Sequence, residues 1–301
     1  MDFEIKNGIK VYTVKKVLSD IEMQKIKNKK VNPSDIKKII KEDADVFTED
    51  GKLLLRFRKN QINKDYRNLF YDNVIQFATL KTNNRGSASG SKTFNVKTNP
   101  KIMTNIIGYF DKFSPKQKQL MRLQGKTIKH LVRETRFLVD YPEKYKKLIP
   151  FVKEIDKYYK KYIPEKYKLQ KLKANQTHFK IDETSFTTIT TNVNFQTTIH
   201  KDTGDDAEGF GNLSVIESGK YTGGETCFPQ YALGVDVRDG DILFMDVHEW
   251  HGNLPIKKES NDTVRLAVVC YLRHNVWNTT KGKTRKFMEN HNKTIRNLRS
   301  K

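Results

Sequence analysis

The chain is short of cysteine, of acid and of long apolar runs, and each shortage removes a class of protein. Its two cysteines, Cys227 and Cys270, each lie inside an apolar strand-like segment. Two thiols build neither a Cys-rich zinc module nor a disulfide framework. No run approaches the roughly eighteen apolar residues of a membrane span, and Met1-Asp-Phe-Glu-Ile-Lys6 has no basic and apolar leader. The expectation is a soluble intracellular protein with no membrane contact, nuclear in a eukaryote and cytoplasmic or in a viral factory otherwise. Acid is scarce: 35 Asp and Glu face 57 Lys and Arg, a net charge of +22. A surplus of that size points to a polyanionic partner, although a Lys- and Asn-rich composition also arises from an AT-rich genome. Hydrophobic content is low at 36%, but 11% aromatics can build a core, so the 301 residues read as globular.

Taken in order, Val11 to Val17 reads as a strand, and Ser19 to Lys30 and Ser34 to Lys41 as short basic helices, so residues 1–45 are expected to be a basic helical region. Val46 to Arg58 is a hairpin turning at Asp50-Gly51, with Arg56 and Arg58 on one face of its second strand. Tyr66 to Leu80 is helical, and Asn83 to Ser91 is a Gly/Ser loop whose single arginine, Arg85, is a candidate substrate contact. Thr104 to Asp111 is a strand, while Ile128 to Val139 and Glu143 to Lys160 are helical patterns, the second broken by Pro150 and ended near Pro164. From His178 the character is β: short strands at Phe179–Ile181, Thr187–His200, Leu213–Ile216, Glu225–Phe228, Leu233–Val237, Ile242–Asp246 and Val264–Arg273, with glycines between them. That spacing predicts a sandwich or jelly roll. Residues 276–301 form a basic helix or tail, one acid against eight Lys and Arg.

The β region carries a constellation that reads as one metal site. His200 and Asp202, two apart at the end of a strand, point to one side, and Asp246-Val-His-Glu-Trp-His-Gly-Asn253 adds His248 or His251. Two histidines and a carboxylate with open positions form the facial triad of non-haem Fe(II) oxygenases. The spacing His-x-x-His excludes the His-Glu-x-x-His zinc-protease pattern. Arg265 opens the apolar run to Arg273 and suits bidentate capture of a dicarboxylate co-substrate. Alternation puts Arg265, Ala267, Val269, Tyr271 and Arg273 on one face of that strand, and Asn192, Asn194, Gln196 and Thr198 on the face of His200. Asn194 and Gln196 are thus candidates to order water or hold the inner carboxylate of the co-substrate.

Together with Phe186-Thr-Thr-Ile-Thr190, Gly209-Phe-Gly-Asn-Leu213, Tyr221-Thr-Gly-Gly-Glu-Thr-Cys-Phe-Pro229, Val235-Asp-Val237 and Gly240-Asp241, these stretches resemble the TET/JBP oxygenases, most closely their small fungal, protist and viral members. The resemblance extends over roughly residues 46–275. It implies an α+β protein with a double-stranded β-helix core (residues 178–275 of a domain spanning 46–275) and N-terminal helices outside. It also implies Fe(II), 2-oxoglutarate and O2, and oxidation of the 5-methyl group of a pyrimidine in nucleic acid, with DNA as the expected partner and a monomer as the expected state. Carried over by position, His200, Asp202 and His251 are the iron ligands, Arg265 pairs with 2-oxoglutarate, Tyr271 stacks on the flipped base and Asp205 meets its edge. The chain departs from the family in having Arg273, expected with Asp205 to reach the base edge, where a histidine is common, which touches the choice between methylcytosine and thymine, and Ala267 where a small hydroxyl residue is common.

Two other readings stand beside this one. A protein or peptide hydroxylase on the same scaffold keeps His200, Asp202, His251 and Arg265 but needs neither Tyr271 nor a basic surface. A silent β-helix binder needs none of them.

Overall fold

Strands form where β-branched and aromatic residues alternate, and helices where apolar residues recur every three or four positions. A computed structural model of the chain describes residues 3–82, 89, 102–113, 115–123, 125 and 131–299. In chain order its strands are β1 (Phe3–Lys6), β2 (Ile9–Val14), β3 (Lys38–Ile40), β4 (Ala44–Thr48), β5 (Leu53–Arg58), β6 (Thr104–Phe110), β7 (Arg133–Glu134) and β8 (Thr188–Val193). They continue with β9 (Gly211–Ser218), β10 (Tyr221–Gly223), β11 (Thr226–Phe228), β12 (Leu233–Val235), β13 (Ile242–Met245), β14 (Gly252–Asn253), β15 (Ile256–Lys258) and β16 (Val264–Tyr271). The helices are α1 (Asp20–Ile26), α2 (Lys64–Ala78), α3 (Pro115–Leu123), α4 (Arg136–Asp140), α5 (Pro142–Tyr162), α6 (Pro164–Ala174), α7 (His274–Thr280) and α8 (Arg285–Arg299).

The chain divides into two compact units, the first made of Met1–Asn105, Thr190–Thr203 and Phe210–Val269. Its larger sheet runs β1-β2-β4-β5-β13-β9-β16, and its smaller one β14-β11-β12-β3. Phe57, Leu213, Leu243 and Met245 from the first sheet meet Ile40, Phe228, Leu233 and Val235 from the second in one buried cluster, which Ala267 of β16 joins. Two sheets closed on such a core make the double-stranded β-helix.

Two N-terminal expectations are corrected. The helix expected from Ser19 to Lys30 begins with a full capping box between Ser19 and Glu22 but stops at Ile26. Asn28 takes a left-handed φ of 64° and donates its backbone N–H to Ile199, which ends the helix. The expected helix at Ser34–Lys41 is one 3-10 turn, Pro33–Asp35, followed by β3, which pairs in parallel with β12. The apolar Ile39-Ile40 gains more from the sheet than Lys-rich flanks gain from a helix, so residues 1–45 are mainly β. The hairpin with its Asp50-Gly51 turn is present as β4 and β5, and Gly51 has φ +78°.

The second unit is made of Ile106–Ile189, Gly204–Gly209 and Cys270–Lys301. Its helix α5 runs unbroken through Pro150, where a break was expected. Leu148, Phe151, Val152, Ile155 and Tyr159 are all buried along one stripe, and that burial holds the turn where proline removes a backbone bond. The expected strand at Phe179–Ile181 is absent, as is the helix at Ile128–Val139, where β7 and the five-residue α4 stand; residues 126–130 lie outside the described residues.

The C-terminal segment, expected to be a basic helix or tail, is the docked helix α8. Arg296 makes a two-pronged ion pair with Glu134 (2.7 and 2.6 Å), and Ile295, 3% exposed, packs with Phe113 and Met121. Truncating a buried isoleucine to alanine costs about 2–5 kcal/mol, so Ile295→Ala should lower the urea midpoint of unfolding markedly. A midpoint within error of wild type would show that α8 is a dispensable tail.

Candidate metal centre

β8 ends at Val193 because Asn194 turns left-handed, with φ 48°. The alternation read from Thr187 to His200 therefore stops at that residue. The Asn194 amide is committed to backbone: Oδ1 accepts from the N–H of Arg265 (2.8 Å) and Nδ2 donates to Thr263 (2.7 Å). It clamps the entry to β16, with one of its two Nδ2 protons given to the Thr263 carbonyl. Gln196 Nε2 donates to the Asn253 carbonyl at 3.2 Å.

Past that turn, His200 and His251 form a two-bond antiparallel bridge, each N–H donating to the other's carbonyl at 2.9 Å, and their rings lie 4.4 Å apart. The Asp202 N–H donates to Val247 at 2.9 Å, so the carboxylate is delivered to the same place. One ligand atom from each of His200, Asp202 and His251 lies within 4.8 Å of the others. His200 Nε2 is 3.5 Å and His251 Nε2 3.7 Å from the Asp202 carboxylate oxygens.

The other face of each imidazole decides its chemistry. His200 Nδ1 meets the Thr198 carbonyl at 2.7 Å, and His251 Nδ1 meets the Glu249 carbonyl at 2.9 Å. A carbonyl only accepts, so each Nδ1 carries the proton and each Nε2 presents a lone pair toward the carboxylate. This is the tautomer that ligates a cation, set by the outer hydrogen bond. Two imidazoles and one carboxylate, with no fourth side chain in the group among the described residues, suit an open-site transition metal of the Fe(II) type better than a closed zinc or an all-oxygen calcium site.

His248 stands outside the cluster. Its Nδ1 donates to the Asp202 backbone carbonyl at 3.1 Å, which steadies the ligand instead of adding one.

Arg265 is 4% exposed, and its Nε has no hydrogen-bond partner. Gly224, with φ +81°, leaves space against it: a Cβ there would lie 3.0 Å from Nε and 3.1 Å from Cδ. Burial pushes the nearby Glu217 carboxyl above its ordinary range, opposed by the Tyr221 hydroxyl and by Arg238 and Arg265. A buried guanidinium with an unanswered donor and a cleared approach fits a carboxylate that arrives from outside.

The residues expected to meet a base lie in the second unit. Tyr271 ends β16 and is 7% exposed, and Asp205 is half-buried and bridges Arg273 through backbone. Arg273 is engaged by partners that sequence reasoning did not find. Its Nε donates to Asp111, Asn275 donates to the other oxygen of that carboxylate at 2.8 Å, and the guanidinium lies 4.4 Å over the Phe110 ring. Burial opposes the charge on Asp111, yet the Arg273 guanidinium and the Asn275 amide hold its carboxyl below the usual range. Gly204 is packed against the same guanidinium, whose Cζ would be 2.8 Å from a Cβ there. Arg85 lies outside the described residues.

His200→Ala and Asp202→Ala should eliminate binding of Co(II), an Fe(II) surrogate, in calorimetric titration while leaving circular dichroism unchanged. His248→Ala should keep binding at an affinity lower by about 10–100-fold. Wild-type affinity in Asp202→Ala would defeat the site.

Four likenesses bear on this geometry. The family model described as the oxygenase domain of the 2OGFeDO superfamily, Tet_JBP, matches residues 124–274, half of the chain. The bifunctional helicase and thymine dioxygenase JBP2 of Trypanosoma cruzi is 32% identical over 209 residues, 67% of this chain and 17% of that protein. Thymine dioxygenase JBP1 of Trypanosoma brucei brucei is 27% identical over 202 residues, 66% of this chain and 22% of that protein. The chain thus spans under a quarter of the length of either relative. Among solved structures, NgTET1 in complex with 5mC DNA superposes with a TM-score of 0.51 over 84% of this chain and 89% of that one, at 15% identity, which is a likeness of fold. On the strength of the family match, the chain belongs to Tet_JBP, the oxygenase domain of the 2OGFeDO superfamily.

Proposed function

We propose that this chain is an Fe(II)- and 2-oxoglutarate-dependent dioxygenase that oxidises the 5-methyl group of a pyrimidine in nucleic acid. The observation that carries it is the His200–Asp202–His251 cluster with both Nδ1 protons committed to carbonyls, found in a Tet_JBP chain. Iron bound there, with 2-oxoglutarate and O2, supplies the oxidant for an unactivated C–H bond and releases succinate and CO2. His200, Asp202 and His251 would hold the cation through two imidazole nitrogens and one carboxylate oxygen. Arg265 takes the distal carboxylate of 2-oxoglutarate with its buried guanidinium, and Gly224 keeps that approach clear.

Nucleic acid as substrate is supported by the names of the relatives, thymine dioxygenases in both cases, and by the net charge of +22. A base methyl is reached only when the base leaves the stack, and Tyr271 is the aromatic that receives it. Asp205 accepts from the cytosine amino group or from thymine N3–H. Arg273 is held by Asp111, so Nε is already spent and only its remaining N–H groups are left for a carbonyl oxygen of the base.

Expression in a host followed by mass spectrometry of its nucleosides should reveal an oxidised 5-methylpyrimidine with wild-type protein and none with His200→Ala. Identical nucleosides in the two would overturn the reading. Stacking on an aromatic contributes about 1–3 kcal/mol per base, so Tyr271→Ala should cost roughly one to two orders of magnitude in turnover, and Tyr271→Phe little. Tyr271→Ala that only lowers the melting temperature, with turnover and selectivity intact, would make it ordinary packing. Affinity for DNA should also fall about a thousandfold between roughly 50 and 200 mM salt if about six phosphates are contacted; a salt-independent affinity would favour a peptide substrate.

A further inference from the structure

The geometry points to Lys52, in the turn of the N-terminal β4–β5 hairpin, as the positioning residue that holds the distal metal-ligand loop; this rests on the metal site proposed above. Lys52 lies in the first unit with the cluster but outside the 124–274 stretch that the family model matches.

The loop from Asp246 to His251 leaves β13 and must place His251 at the metal and His248 against the Asp202 carbonyl. It carries two carboxylates, and both face Lys52. Lys52 Nζ is 2.7 Å from Asp246 Oδ2 and 3.4 Å from Glu249 Oε1. Asp246 is 4% exposed, so without that ammonium its charge would be buried with little to answer it. Its other oxygen, Oδ1, accepts from the His248 N–H at 3.0 Å, and its backbone carbonyl from the Glu249 N–H at 3.2 Å. Glu249 Oε2 accepts from the Tyr231 hydroxyl at 3.4 Å.

Two lines run from that ammonium to the ligands. Through Asp246 it fixes His248, whose ring donates to the carbonyl of Asp202. Through Glu249 it fixes the carbonyl that receives the Nδ1 proton of His251. One of these steadies a ligand's backbone, and the other sets a ligand's tautomer. Outer hydrogen bonds of this kind change metal affinity when they are lost. The lysine is delivered by β5, which pairs antiparallel with β13 in a register that matches Leu55 with Met245, and by the Leu54 carbonyl, which accepts the Asp246 N–H at 2.9 Å. The hairpin and the metal loop are therefore adjacent by strand pairing before the ion pair forms.

The test is Co(II) titration of the full chain, read by affinity and by the visible d–d spectrum, with melting temperature measured alongside. Lys52→Met should weaken Co(II) binding by about 10–100-fold and alter the spectrum, and Lys52→Arg should restore most of both. Lys52→Met combined with Asp246→Asn removes the buried charge yet keeps an acceptor for His248, so it too should recover much of the affinity; this covers the case in which Lys52→Met alone folds poorly. Unchanged affinity and spectrum in a folded Lys52→Met protein, or a lowered melting temperature with no change in either, would overturn the role. So would a double variant that folds but binds no better than Lys52→Met. If wild type itself binds no Co(II), the metal reading fails first and separately.

Discussion

The candidate centre depends on two hydrogen bonds that never touch a metal. Thr198 and Glu249 each present a carbonyl to an imidazole Nδ1, and those carbonyls are fixed because the chain on either side is paired. The His200–His251 bridge brings the two backbones together, and the carbonyls then settle which nitrogen is protonated. Were either carbonyl to swing away, the ring would be free to flip or to change tautomer, and a lone pair would be lost at the one place where it is needed. Ordering the ligands in advance lowers the entropic cost of binding. Geometry that is paired through backbone also tolerates substitution elsewhere better than geometry held by side chains alone.

This also explains what could be read from the sequence. His200-Lys-Asp202 was legible because a two-residue spacing survives small errors in strand boundaries, whereas the residues alone left His248 and His251 open and the family resemblance chose His251. The parity argument failed at Asn194, where the left-handed turn broke the alternation on which the roles of Asn194 and Gln196 were built. Nothing in a pattern of apolar and polar residues announces such a turn. Asparagine tolerates that conformation better than most residues, and that was the available signal. Pro150 misled in the other direction: a local rule predicted a break, and burial of the α5 stripe outweighed it. The strand β3 was missed for a related reason, since it exists only by pairing with β12, nearly two hundred residues away.

Pairings across long sequence separations were the least legible of all. The partner of Arg273 could not be read from the sequence, because Asp111 stands 162 residues earlier and no periodicity links them. The pair changes what the arginine does. A guanidinium pinned by Asp111, flanked by Asn275, lying over Phe110 and backed by Gly204 is a rigid object, with its plane set before any ligand arrives. Under the proposed function that rigidity would favour discrimination, because a misplaced base could not be met by a rotamer change. It also limits the arginine to the N–H groups that Asp111 leaves, which suits recognition of a carbonyl oxygen and gives nothing to an exocyclic amino group.

The same accounting bears on the net charge. A surplus of 22 positive charges reads at first as a nucleic-acid surface, yet several of the cations are consumed inside the fold. Arg56 and Arg58 share Asp45, Lys173 answers the buried Asp206, Arg273 answers Asp111 and Arg296 answers Glu134. Each of these pairs is neutral or nearly so at contact range and stabilises a particular junction, so none of them is an obvious phosphate contact. What remains for a polyanion is the unpaired share, chiefly exposed lysines. Lysine suits that task as a point charge, whereas arginine suits the planar, two-pronged contacts seen within the fold. Arginine thus makes most of these internal junctions, while Lys52 and Lys173 show that lysine shares the task. The long-range field that steers association still depends on the full net charge, to which a one-to-one internal pair adds as much positive as negative.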